Sequence, residues 1–224
     1  MSNVAAVIPA YNEARTIGEV VAGLGPLVGR VIVVDDGSRD ATADRAESAG
    51  AEVIRHGSNL GKGAAVRSGL GVALAGQFSH VLLLDGDMQH LPDEAARLLA
   101  EAERTSADLV VGERAFDRAS MPLSRYYANR VGSRVLSWFV GVPVGDTQSG
   151  FRVFRAELLR NMPLRATGYE VETEMLVKAG RLGAHIARVP VSAVYGTSES
   201  KLRPVRDTTR TCFLAVYHRF LERL

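Results

Sequence analysis

The triplet Asp85-Gly86-Asp87 follows the apolar run His80 to Leu84. Residues i and i+2 of an extended chain point the same way, so Asp85 and Asp87 can offer two carboxylates to one ion. Hard oxygen ligands suit Mg2+ or Mn2+, which bind through one or two carboxylates and take further ligands from substrate phosphates. An ion held there would neutralise a departing nucleoside diphosphate. Asp-x-Asp alone is also a common turn; it gains weight from its place after a strand and from the motifs that accompany it.

Those companions are Ile8-Pro9-Ala10-Tyr11-Asn12-Glu13 and Val33-Val34-Asp35-Asp36-Gly37-Ser38, each closing an apolar run. Open parallel sheets bind ligands beyond the carboxyl ends of their strands, so these polar groups belong to one crevice. An acid after the second strand can accept hydrogen bonds from a ribose or a base, although Asp-Gly-Ser by itself is equally a turn former. A dinucleotide fold would need G-x-G-x-x-G after the first strand, where this chain has Pro9-Ala10-Tyr11-Asn12-Glu13-Ala14. Gly61-Lys62-Gly63-Ala64-Ala65-Val66 has valine where the third glycine is needed, and it lacks the Walker pattern.

Positioning these groups requires alternating strands and helices. Strands are expected at Val4 to Ile8, Arg30 to Val34, Ala51 to Arg55, His80 to Leu84 and Ala107 to Val111. Helices are expected near Glu13 to Leu24, Ala41 to Ala49 and Lys62 to Ala75, with another opened by Pro92. Pro92 suits a first helical position, and Gly50 suits the residue just past a helix end. After Arg114 the rhythm breaks into a polar connection, a helix of mixed character around Leu123 to Val140, and Gly141 to Gly150. We read one domain, 1–224: a nucleotide-sugar-binding half at 1–115 and an acceptor-binding half at 116–224.

With 46% hydrophobic and 23% charged residues, the 224-residue chain is an ordinary globular sequence. A net charge of +2 gives no ground for a nucleic-acid partner. Cys212, the only cysteine, excludes an intrachain disulfide and fits a reducing compartment. The first residues lack the pattern of a signal peptide. No window reaches the roughly 18 uninterrupted apolar residues of a membrane span. The expected location is cytoplasmic, with any membrane contact peripheral on the cytoplasmic face.

Four segments in order, Val7 to Glu13, Val34 to Asp40, Asn59-Leu60-Gly61-Lys62-Gly63 and Asp85 to His90, resemble family 2 glycosyltransferases of the GT-A fold over nearly the whole length. That resemblance implies an α/β architecture with a mostly parallel central sheet flanked by helices. It also implies Pro9, Tyr11, Glu13 and Asp36 around the nucleoside, with Lys62, Asp85, Gly86 and Asp87 completing the nucleotide-sugar site and Asp85 and Asp87 holding the metal. Asp146 to Arg152 and Ser200 to Pro204 resemble the branch that glycosylates polyprenyl phosphates, such as dolichyl-phosphate mannose and glucose synthases. The implied partners are a nucleotide-sugar, UDP-glucose or GDP-mannose, and a polyprenyl phosphate.

An anionic phosphate acceptor needs cations for positioning rather than a strong base. Arg114, Arg125 and Arg203 stand where the resembling enzymes place arginines on phosphate, and Lys62 and Arg114 are expected to be auxiliary cations. Glu170, Glu174 and Lys178 at i, i+4 and i+8 read as an exposed ion-pair ladder. Glu172 instead lies at the edge of the stripe Val171, Met175, Leu176, Ala179 and Leu182, where a buried charge needs a task. Glu172 and Asp146 are therefore placed near the acceptor phosphate or sugar, and join Asp87 and Arg114 as candidate catalytic groups. Helix 208–224, from Thr208 to Leu224, and the segment from Val131 to Val144 could touch lipid or pack in the core. Two other readings keep the donor half: transfer to a sugar or glycerol hydroxyl, which needs a base, and a silent nucleotide-sugar-binding module.

Overall fold

The computed structural model describes residues 3–114 and 149–192. Seven strands form one sheet in the order β3-β2-β1-β4-β6-β5-β7. They are β1 (Val4–Ala10), β2 (Arg30–Asp35), β3 (Glu52–Arg55), β4 (His80–Leu83), β5 (Leu109–Arg114), β6 (Arg152–Arg155) and β7 (Ile186–Val191). β1 to β4 pair in parallel; β6 runs antiparallel to both β4 and β5, and β5 pairs in parallel with β7. The sequence rhythm gave the parallel part but neither β6 nor β7.

Helices cover both faces, as a parallel sheet requires, because its strands are apolar on both sides. α1 (Ile17–Leu24), α2 (Thr42–Ser48) and α4 (Ala95–Thr105) alternate with the first strands around α3 (Lys62–Ala75); α5 (Ala156–Arg160) and α6 (Val171–Arg181) follow β6. Alternate residues of β1 separate the two cores: Val4, Ala6, Ile8 and Ala10 pack with α1 and α4 residues such as Val20 and Leu98. Ala5 and Val7 pack with Val66 of α3 and Leu176 of α6 on the other face.

The observed ends explain several departures from expectation. Glu13 does not open α1; its carbonyl accepts Thr16 N and Ile17 N in a turn, and the helix starts at Ile17. Pro92 opens a 3-10 turn, Pro92–Glu94, that leads into α4. α4 ends at Ser106 in a left-handed conformation, φ 52°, and β5 begins two residues later than expected and extends to Arg114. Gly50, with φ 97°, follows α2 as expected.

Candidate active site

The exits of β1 and β2 are clasped together. Asn12 takes a left-handed turn, φ 54°, so that its N–H donates to Ser38 Oγ at 2.9 Å while its Oδ1 accepts Arg39 N at 2.8 Å. Glu13 N donates to Thr42 Oγ1 at 2.8 Å. Beyond these loops a cavity of about 530 Å³ opens, lined by Tyr11, Asp35, Ser38, Arg39, Arg55 and His56 among others. That volume and a polar lining suit a small ligand such as a nucleoside.

Asp36 occupies a different position from the one its motif implied. It is buried, and its Oδ1 faces His56 Nδ1 at 2.7 Å and accepts Leu60 N at 2.9 Å, while Oδ2 accepts Gly61 N at 2.8 Å. His56 Nε2 lies 2.9 Å from Ser68 Oγ. Asp36 therefore shapes the Leu60-Gly61-Lys62 turn, and its neighbour Asp35 is the acid that lines the cavity. Gly37 has φ 73°, and a Cβ there would lie 2.5 Å from the Ser58 carbonyl carbon, so the two loops meet backbone to backbone.

At the end of β4 stand Asp85, Gly86 and Asp87. Thr16 Oγ1 donates to Gly86 O at 2.6 Å and ties this turn to the β1 exit. Lys62, the first residue of α3, donates its ammonium to Asp85 Oδ2 at 2.8 Å and to Glu172 Oε1 at 2.5 Å, with the Tyr169 ring centroid 5.7 Å away. A narrow crevice here is lined by Pro9, Lys62, Asp85, Gly150, Arg152 and Glu172. Gly150, just before β6, backs directly onto the Asp85 carboxylate, leaving no room for a side chain.

The charges in this crevice shift one another. Burial works to raise the Asp85 pKa, but Lys62, with His90 and Arg114 farther off, holds it below the usual carboxylate range. Burial likewise works against the Lys62 ammonium, and Asp85 and Glu172 more than offset it, so the lysine stays charged. Glu172 is raised, by burial first and Asp85 next, against the pull of Lys62 and Arg152. Asp87 is pushed up to about 6 by burial and then by the Asp85 charge, even though its Oδ1 accepts Gln89 N at 3.0 Å.

Among the described residues no group of three acidic, histidine or cysteine side chains could cage a metal ion. The donor set nevertheless fits a divalent cation of the phosphate-bridging kind. Lys62 already places positive charge on Asp85, while burial and the Asp85 charge hold Asp87 back from ionising among the described residues. Such an ion would be held by Asp87 with Asp85 and would draw its remaining ligands from the donor.

Of the expected site residues, Lys62, Asp85, Pro9 and Glu172 meet in the crevice, and Tyr11 lines the larger cavity. Arg114 at the end of β5 and Glu13 act on the same carboxylates through their charge. Arg125, Asp146 and Arg203, with the 123–140 and 208–224 helices, lie outside the described residues.

The exposure expected of Glu170, Glu174 and Lys178 is wrong, since all three are buried; the i, i+4 pairing does form, as a Glu174–Lys178 ion pair of 2.8 Å with both side chains 0% exposed. Their i, i+4 spacing is common to surface and core, so only the segment packed over α6 distinguishes them. The sequence reading also missed Asp35, Thr16, Gly150 and Arg152. Arg152 is buried and donates to Glu172 O at 2.6 Å. Asp35 was readable as the acid closing β2; the other three act only through contacts distant in sequence.

The description "Glycosyl transferase family 2" belongs to a family model that matches residues 5–162. Glycosyltransferase AglJ of Haloferax volcanii is 34% identical over 218 residues, covering 94% of this chain and 70% of the relative. The undecaprenyl-phosphate mannosyltransferase of Micrococcus luteus is 34% identical over 201 residues, covering 84% and 82%. Glucosyl-3-phosphoglycerate synthase from Mycobacterium tuberculosis, solved with Mn2+, UDP and glucosyl-3-phosphoglycerate, matches with a TM-score of 0.73 at 27% identity, covering 97% of this chain and 80% of that one. The strand-end carboxylates, the cavity beside them and this match over most of the chain lead to one conclusion: the protein is a GT-A-fold glycosyltransferase that belongs to glycosyl transferase family 2.

Proposed function

We propose that the protein transfers a hexose, glucose or mannose, from UDP-glucose or GDP-mannose to a polyprenyl phosphate with inversion at the anomeric carbon. The observation that carries this reading is the Asp85-Asp87 turn, steadied by Lys62 and set at the same sheet edge as a nucleoside-sized cavity. The lipid acceptor is supported by the undecaprenyl-phosphate mannosyltransferase similarity and by the resemblance around Asp146 to Arg152.

In the reaction the acceptor phosphate oxygen forms a bond to the anomeric carbon as the bond to the diphosphate oxygen breaks, and the nucleoside diphosphate leaves with the electron pair. A divalent cation, Mg2+ or Mn2+, would supply Lewis-acid neutralisation of that leaving group. Asp87 and Asp85 would hold it, while Lys62 keeps Asp85 ionised and oriented. Tyr11 and Asp35 would line the nucleoside. Because the acceptor is already an anion, positioning and charge neutralisation supply most of the rate and no strong base is required. Arg114, Arg125 and Arg203 would orient phosphates, and Asp146 would lie beside the acceptor.

Among the described residues no helix is long and apolar enough to cross a membrane. Acceptor access is assigned to peripheral contact with the cytoplasmic face of a membrane, through the amphipathic pattern read at 208–224, which lies outside the described residues.

A second reading, transfer to a hydroxyl acceptor, is favoured by the similarity to glucosyl-3-phosphoglycerate synthase. Glu172, with its raised pKa, would then be the candidate base. Radiolabelled UDP-glucose and GDP-mannose, offered with Mn2+ or Mg2+ to a short-chain polyprenyl phosphate and separately to 3-phosphoglycerate, decide between them. Metal-dependent label in the lipid phase upholds the proposal; label only in the water-soluble product overturns it in favour of the second reading.

A further inference from the structure

Helix α6 reaches the first turn of α3 by two routes, directly through Glu172 on Lys62 and, by way of the 163–167 backbone, through Glu174. The Glu174 carboxylate, fully buried, accepts Arg165 N at 2.9 Å and Ala166 N at 2.8 Å. Lys178, one turn later, donates to Glu174 Oε1 at 2.8 Å and to Pro163 O at 2.5 Å. The pair thus fixes the backbone from 163 to 166 onto α6.

The same segment then caps α3. A helix leaves its first N–H groups without partners of its own, and here Thr167 O accepts Gly63 N at 2.8 Å and Ala64 N at 3.3 Å. Arg67 adds a hydrogen bond to Ala166 O. Gly61 and Gly63 have no space for a Cβ because the Thr167 and Ala166 carbonyls press against them, so the two backbones meet directly. Lys62 lies between these two glycines. Its backbone is therefore held by the segment that Glu174 anchors, and its ammonium by Glu172 and Asp85.

We propose that Glu174 and Lys178 are positioning residues for Lys62, acting through the 163–167 segment to hold its ammonium against Asp85. This rests on the transferase reading above. A buried ion pair adds little stability over apolar residues of similar size, so stability alone gives weak reason for one within α6 beneath this segment. The backbone N–H groups at 165 and 166 and the carbonyl at 163 give the charges a task that apolar side chains could not perform.

The test compares Glu174→Gln with the wild type, in the natural background and in Lys62→Met. Hydrogen exchange at the Gly63 and Ala64 amides is followed together with kcat and the donor KM. We expect exchange there to quicken at least about tenfold relative to α4 amides as the cap loosens. We expect kcat to fall roughly ten- to a hundredfold, more than the donor KM changes. In the Lys62→Met background the same substitution should cost less than about twofold more, because its route is already cut.

Equal kcat losses in both backgrounds, or unchanged exchange at Gly63 and Ala64, would overturn the proposal. If Glu174→Gln does not fold, the double variant Glu174→Leu with Lys178→Leu keeps the core filled, removes the anchor and carries the same readouts. If the wild type transfers no hexose, the transferase reading fails, while unchanged exchange at Gly63 and Ala64, which needs no substrate, would still overturn the positioning role.

Discussion

Lys62 and Asp85 are joined by an ion pair whose ammonium reaches both carboxylate oxygens, at 2.6 Å to Oδ1 and 2.8 Å to Oδ2, with the lysine side chain only 13% exposed. The first residue of α3 is thereby fastened to the end of β4, on the far side of β1 from β2. Among the described residues nothing comparable faces Asp87, and that asymmetry makes the two acids of one short motif behave differently.

Asp87→Asn should stabilise the fold while removing function. A carboxyl whose folded pKa is raised from 3.8 to about 6 destabilises the native state at neutral pH by about 3 kcal/mol, an order-of-magnitude figure. Asparagine can keep the Gln89 hydrogen bond without the charge. We expect a Tm higher by several degrees and a metal-dependent turnover at least about a hundredfold lower, read by thermal unfolding and the transfer assay. Full turnover in this variant would remove Asp87 from the metal site.

The same shift gives a pH dependence. In the metal-free protein the Asp87 penalty is absent below its unfolded pKa of 3.8, grows as pH rises and is complete above about 6. Metal must displace the proton, so Mn2+ affinity should weaken about tenfold from pH 7 to pH 5. Titration calorimetry across that range measures it, and Asp87→Asn should flatten the dependence.

Lys62→Met leaves Asp85 and Glu172 as neighbouring buried carboxylates without their cation. Removing one partner of a buried pair costs about 3–5 kcal/mol. Glu172, already raised, should then take up a proton more readily. The loss of stability should therefore be larger at pH 7.5 than at pH 5.5, as measured by urea unfolding at both.

Gly150→Ala should act on the site without adding or removing charge. The new methyl group would meet the Asp85 carboxylate directly, so that carboxylate would have to shift from its contact with Lys62. We expect a roughly ten- to a hundredfold fall in kcat and weaker Mn2+ binding, with helix content by circular dichroism unchanged.

The parts legible in the sequence were those encoded locally. Three strand-end motifs, the Asn59–Gly63 turn into α3 and the βαβ rhythm point to β1 to β4, and the bounds of α3 are those expected, Lys62–Ala75. Asp85, Pro9, Lys62 and Glu172 were each picked out separately, but nothing in their spacing says that one ammonium joins two of the others. Glu174 and Lys178 show the limit most clearly. Their i, i+4 spacing is the same on a wet helix face and in a core, and the difference is made by backbone groups at 163, 165 and 166 that carry no sequence signature. β6 was missed for a related reason: four residues with arginine at each end do not read as a strand, yet the first of those arginines is fully buried beside Glu172.

The reversed strand β6 also sets the order in which the molecule can be finished during synthesis. β1 to β4 pair among themselves through right-at-hand βαβ neighbours, so the cavity at Tyr11 and Asp35 can take shape while the rest is still being made. The outer edge of β4 must wait for Arg152–Arg155, and Gly150 reaches Asp85 only with that strand. Until then a nascent chain carries a bare strand edge, open to pairing with another molecule, beside an unfinished catalytic crevice. Arrival of one four-residue strand closes that edge and sets Gly150 against Asp85, and the later α6 then brings Glu172 to finish the crevice, so protection from aggregation precedes the onset of competence.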